Sequence, residues 1–232
     1  MSEAVGRVGG RINLGIFAVF FGISLILACR GGKNDTYTAL LVFMIALFQL
    51  FEFGVWKNLD CNPGESNDKA SHGAYILIWA MPAVLCLAGA FLAGNVIAVP
   101  ASKQVLLGAG LVFAAFALSI LPILWSDKRT WCSQPGNVLQ PIWWFQKEEV
   151  PLQLNLLWLV GILMPTVLVD PAFLGSGTLA IGVGSYMFGR TADELRTGEW
   201  LSVTALMSNG IGIWALFYPV IRYMMYGLEV AL

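Results

Sequence analysis

Charge is what this chain has least of: Asp, Glu, Lys and Arg make up 12% of its 232 residues, against about a quarter in a water-solvated domain. The formal net charge is −1 and no basic block occurs anywhere, so the chain has no electrostatic footprint for nucleic acid. There is one histidine, His72, which excludes the multi-histidine metal centres of membrane hydrolases and desaturases, and no metal site is expected. No Gly-x-Ser-x-Gly elbow and no paired-carboxylate signature is present. Gly175-x-Gly177-x-x-Ala180 imitates a dinucleotide fingerprint, with Glu194 near the ribose position, but the strand and the polar helix face that such a site needs are missing. No nucleophile, base and metal can be assembled into one set, so the reading is a protein that is not an enzyme and has no cofactor.

What the chain has instead is apolar length. Hydrophobic residues are 58% of the total, mean hydropathy is +0.74, and seven apolar runs cover 13–29, 38–56, 74–99, 104–125, 152–169, 171–189 and 200–221. About 20 such residues, rising 1.5 Å each, cross a hydrocarbon layer of about 30 Å. The predicted fold is an all-α, multi-pass integral membrane protein: a bundle of seven transmembrane helices, or six if 152–189 is one broken helix. It forms a single membrane domain over 1–232 with lipid as its main partner, and no length is left for a separate soluble domain. Gly31-Gly32, Asn62-Pro63-Gly64, Pro100, Pro135-Gly136 and Asp170-Pro171 fall between runs, where turn chemistry belongs. The first run follows Arg7 and Arg11 and ends in Ile26-Leu27-Ala28-Cys29. It imitates a cleavable signal, and it is read as a retained first helix.

Seven crossings divide the connections between the face that carries the N-terminus, side A, and the opposite side B. Side A holds Arg7, Arg11, Lys57, Lys69, Lys128, Arg129, Lys147, Arg190 and Arg196, against Arg30, Lys33, Lys103 and Arg222 on side B. That count makes A cytoplasmic. Cys61 and Cys132, both in side A connections, could meet in a disulfide, which would place A in an oxidising compartment, and the two signals conflict. Trp56, Trp131, Trp143 and Trp144 also gather near side A, as an interfacial belt or as an aromatic mouth for a ligand. The stretch 138–145 is too short and too proline-broken to span. It is expected to lie in the interface plane or fold back over the bundle as a lid.

Glu52 is the acid well inside a run, with Gln49 three positions before it and Trp56 four after, all on one helical face. An ionised carboxylate at membrane depth costs several kcal/mol unless paired, hydrated or protonated, which marks Glu52 as a candidate for function. Asn209 is a second mid-run polar group that needs a partner or water. Gly175, Gly182 and Gly189 form a stripe of small residues suited to close helix packing, within the chain or against a partner helix. Pro82, Pro122, Pro165 and Pro219 lie within four different runs, and each removes a backbone hydrogen bond. The leading expectation is permeation of a small solute or ion, proton-linked through Glu52. The alternatives are a seven-helix receptor or sensor, and a non-catalytic subunit of a larger membrane complex. Lys33, Lys57, Lys69, Lys103, Lys128 and Lys147 are all assigned to connections, so a covalently held retinal is excluded.

Overall fold

A computed structural model describes residues 3–32, 34–59, 65–92, 100–126, 132–135, 141–143, 152–169, 174–191 and 200–226. Most of these residues are helical, in the order α1 Glu3–Arg30, α2 Asp35–Lys57, α3 Ser66–Leu92, α4 Pro100–Ser126, α5 Leu152–Val169, α6 Leu174–Thr191, α7 Trp200–Ser208 and α8 Gly210–Tyr226. Between α4 and α5, β1 (Gln134–Pro135) and β2 (Pro141–Ile142) form one short antiparallel pairing. Among the described residues, five stretches are long and apolar enough to cross a membrane: Val8–Arg30, Asp35–Lys57, Ser66–Leu92, Ser102–Ser119 and Ser202–Ile221. This architecture is compatible with a polytopic membrane protein.

The helices outrun the apolar stretches that announce them. A helix satisfies its own backbone and continues through polar residues into the interface. Thus α3 begins at Ser66 rather than at 74, and Lys57, Lys69, Lys103 and His72, which the sequence assigns to connections, lie in helices. Asp170-Pro171 and the 93–99 end of the third run lie outside the described residues. The last run is two helices rather than one. At the break, the Asn209 side-chain amide donates to the carbonyls of Ala205 and Leu206, both at 3.2 Å, competing with backbone donors one turn on. The backbone there tightens to three-residue bonds, Asn209 N–H to Leu206 O (3.3 Å) and Gly212 N–H to Asn209 O (2.9 Å).

Glycine sets how closely the helices approach one another. A Cβ on Gly54 would lie 2.8 Å from Cβ of Ala70, one on Gly110 2.8 Å from Leu87, and one on Gly182 2.5 Å from Leu163. Close backbone contact of this kind is what holds helices together where lipid removes the hydrophobic drive between them. The buried α2 helix is the hub, touching α1, α3, α7, α8 and β2. By contrast α1 and α4 turn apolar side chains outward, including Val19, Ile26, Leu111, Val112 and Leu118.

Three of the helix prolines have a shared structural answer. Proline at position i leaves the carbonyl of i−4 without its helical donor. For Pro82 that carbonyl is Ile78, which accepts the Trp158 indole N–H at 2.9 Å. For Pro165 it is Gly161, which accepts the Cys86 thiol at 3.6 Å. For Pro219 it is Ala215, which accepts Arg30 Nη2 at 3.3 Å, while Arg30 Nη1 reaches Leu216 O at the same distance. Each proline therefore ties its helix to a neighbour: α3 to α5 twice, and α8 to α1.

The α1–α2 corner holds Arg30 in place for that role. Gly31 adopts φ +74°, the left-handed conformation that ends a helix at little cost for glycine. The chain then turns so that Asp35 takes both arms of the guanidinium, at 2.6 and 2.5 Å, together with the Gly32 N–H at 3.0 Å. The guanidinium also lies over the Tyr218 ring, 5.6 Å from its centroid.

Candidate functional site: a buried polar layer under a docked strap

At the side A end of α2, the face carrying Gln49, Glu52 and Trp56 points into the bundle. Gln49 and Glu52 are fully buried and Trp56 nearly so. Helix α1 closes over this face because Gly9 has no side chain: a Cβ there would sit 2.9 Å from the Trp56 ring. One turn deeper on α1, Asn13 is also fully buried, and Glu52 lies one turn deeper than Trp56 on α2. Counted from that contact, Asn13 comes level with Glu52, and Gln49 lies about one turn deeper on the same face of α2.

These polar groups have no hydrogen-bond partner. Both amide atoms of Asn13, both of Gln49, both carboxyl oxygens of Glu52 and the indole nitrogen of Trp56 are buried without one. A buried polar group left in that condition costs about 1–3 kcal/mol, so a cluster of them is an unusual investment for a helix bundle. Ser202 of α7 is also fully buried, and its hydroxyl donates to Pro141 O at 3.0 Å and accepts the Trp143 indole N–H at 2.8 Å.

Pro141 and Trp143 belong to the connection between α4 and α5, whose described part (residues 132–135 and 141–143) lies across the bundle as a strap. Trp143 is fully buried. The other edge of the strap is fixed to α3, where the Asn67 side chain pairs with the Ser133 backbone as a strand would. Asn67 Nδ2 donates to Ser133 O at 3.0 Å, and Ser133 N–H donates to Asn67 Oδ1 at 3.1 Å. The hydroxyls of Ser71 and Ser133 add a contact of 2.7 Å. Next to this clamp, Cys132 is disulfide-bonded, whereas Cys29 and Cys86 are free.

The residues singled out from the sequence separate into groups. Gln49, Glu52 and Trp56 share the buried face, and Trp143 sits above it, so both of these tryptophans are enclosed rather than set on an open rim. Trp131, Trp144 and Cys61 lie outside the described residues. Asn209 is seven positions beyond Ser202, about two turns deeper, with its amide hydrogens directed at its own helix. Gly175 and Gly182 are buried within the chain; nothing is described of the surroundings of Gly189. Among the described residues, no cluster of three or more His, Cys, Asp and Glu side chains is placed to hold a metal ion.

Four contributors escape the sequence reading. Asn13 is a lone amide opening the first apolar run, and its register against Glu52 needs the α1–α2 pairing. Asn67 and Ser71 precede the third run and look like connection residues until α3 extends through them. Ser202 reads as one small residue of a packing stripe with Ala205, Asn209 and Gly212 at helical spacing. Comparison with known proteins adds nothing to this geometry: no family model, curated protein or solved structure matches the chain.

Proposed function

We propose that the protein moves a small solute or ion across a membrane, with Glu52 as the titrating group, Asn13 and Gln49 as polar lining, and the strap as a lid on side A. The observation that carries this reading is the layer of buried, unpartnered polar atoms on α1 and α2 beneath the strap. Intramembrane polar groups gathered together face a wet path or a passing ligand in membrane proteins. Deeper along α2, a cavity of about 40 Å³ lies among Ile45, Phe48, Met81, Trp158, Thr204 and Ser208. Its apolar wall suits a constriction that opens only when wetted.

Proteoliposomes holding the purified protein supply the test. Uptake or proton flux is measured across a panel of small ions and solutes, with Glu52→Gln as the variant. Glutamine keeps the volume and hydrogen-bonding atoms and removes the exchangeable charge. Loss of flux is expected, and undiminished flux in the variant rejects the role of Glu52.

A further inference from the structure

The seam between α1 and α2 is fixed by contacts along its length. A Cβ on Gly9 would sit 2.9 Å from the Trp56 ring, and one on Gly10 3.4 Å from Trp56 Cβ and 3.5 Å from the Phe53 ring. Farther along, the Ser24 hydroxyl donates to Ala39 O at 2.8 Å, and at the corner Arg30 meets Asp35. The paired positions converge, so the two helices run antiparallel in one register. Asn13 follows Gly9 by four positions and Gly10 by three, so its side chain leaves α1 between theirs. It therefore enters the seam one turn beyond Trp56, at the height of Glu52, with Gln49 a turn deeper.

The unpartnered side-chain atoms on this seam are four oxygens and three nitrogens: the amide groups of Asn13 and Gln49, both carboxyl oxygens of Glu52 and the Trp56 indole nitrogen. Glu52 is the ionisable member. Among the described side chains, no charge faces it from the elements packed on α2. Arg11 on α1, Lys69 on α3 and Lys57 on α2 itself are exposed. On α3, Asp68 and His72 pair at 3.4 Å, Tyr75 packs on Trp79 and the Cys86 thiol is bonded to Gly161 O. On α8, Tyr218 lies under Arg30 at the far end of α2, while α7 and β2 have no titratable side chain.

Charge balance selects what fits. A buried anion finds no positive group here, and a divalent cation beside one carboxylate leaves a net charge in a medium that penalises it. One monovalent cation cancels the carboxylate and takes its other contacts from the neutral amide oxygens, hard ligands of the kind that replace a hydration shell. We infer that the seam binds one small monovalent cation, an alkali metal ion or an ammonium group, through the Glu52 carboxylate and the amide oxygens of Asn13 and Gln49, in exchange for the proton on Glu52. In that exchange the carboxyl O–H bond breaks, the proton leaves on water and the cation takes its place, so the site is neutral before and after. The inference rests on the reading of Glu52 as a titrating group and names the substrate class.

The test uses the full chain in lipid nanodiscs, weakly buffered with a pH-indicator dye. Sodium, potassium, ammonium and methylammonium chloride are added in turn, with N-methylglucamine chloride holding the ionic strength. At least one salt should release about one proton per protein in a saturable way and raise the unfolding temperature. A response to sodium or potassium identifies a metal ion, and a response to the ammonium salts alone identifies a protonated nitrogen. The half-saturating concentration should rise about tenfold for each unit of pH lowered, because proton and cation compete for one carboxyl. Release should vanish in Glu52→Gln and persist in Glu52→Asp. Asn13→Leu, which keeps the carboxyl, should weaken binding about tenfold and still release the proton at saturation. Circular dichroism shows that each variant is folded. No release with any of the four salts, equal release in Glu52→Gln, or tighter binding of magnesium than of every monovalent cation overturns the site. Flux in proteoliposomes separates the two claims. Cation-for-proton exchange without flux keeps the site and removes permeation, whereas Glu52-dependent flux of a neutral solute with no cation response removes the site and keeps permeation.

Discussion

Trp158→Phe should expose how the bundle accommodates its prolines. The indole N–H of Trp158 is the described donor to Ile78 O, at 2.9 Å, and that carbonyl lost its helical donor to Pro82. Phenylalanine fills much of the same space without an N–H, so the variant leaves a buried acceptor bare. Such a loss costs about 1–3 kcal/mol in protein interiors, while side-chain hydrogen bonds within membrane bundles average about 0.6 kcal/mol and reach about 1.7. Allowing for the smaller ring, we expect a destabilisation of about 1–2 kcal/mol. The decisive measurement is the double-mutant cycle with Pro82→Ala, which restores a backbone N–H aimed at Ile78 O. In that background the carbonyl is already served, and the indole-to-phenyl change should cost about 0.5–1.5 kcal/mol less. Reversible unfolding in mixed micelles with increasing SDS gives all four stabilities. If the two substitutions add to within about 0.3 kcal/mol, the indole is not serving the proline's carbonyl and the reasoning fails.

Two further perturbations address the corner and the strap. Arg30→Met strips the donors from Ala215 O and Leu216 O and leaves Asp35 unpaired, and should destabilise by about 2–3 kcal/mol by the same unfolding assay. Arg30→Lys should recover only part of this, because an ammonium cannot match the two-armed contact with Asp35. For the disulfide at Cys132, the partner we expect is Cys61. Without reductant, Cys132 should resist maleimide in the unsubstituted protein and react in Cys61→Ser, and ready labelling of Cys132 in both would refute the pairing.

Much of the architecture could be read from hydropathy, because backbone groups in lipid leave few alternatives to a helix. The burial of Glu52 beside Gln49 on one face was likewise legible, since three- and four-residue spacing fixes which side chains share a face. The boundaries were not. A hydropathy trace follows solvent preference, whereas the helix follows its backbone bonds, so Asn67, Ser71, Lys69 and Lys103 were assigned to connections. The break at Asn209 escaped because the run stays apolar on both sides, and the interruption comes from one amide reaching back to Ala205 and Leu206. The polar layer itself is a property of pairs: Asn13 meets the level of Glu52 only after Gly9 has let α1 settle on Trp56. Ser202 likewise acquires a role from Pro141 and Trp143, some sixty positions away.

The proline ties bear on which parts of the molecule are free to move. A kinked helix is commonly treated as a joint, but with Trp158, Cys86 and Arg30 fastened to the three freed carbonyls, α3 travels with α5, and α8 travels with α1. The step between Ser208 and Gly210 is not a free joint either. On its side A arm the nine-residue α7 is held to α6 by the Thr204 hydroxyl on Ser185 O at 3.5 Å and to the strap by the Ser202 hydroxyl on Pro141 O at 3.0 Å. That short helix too is bound to its neighbours at the roof of the polar groups.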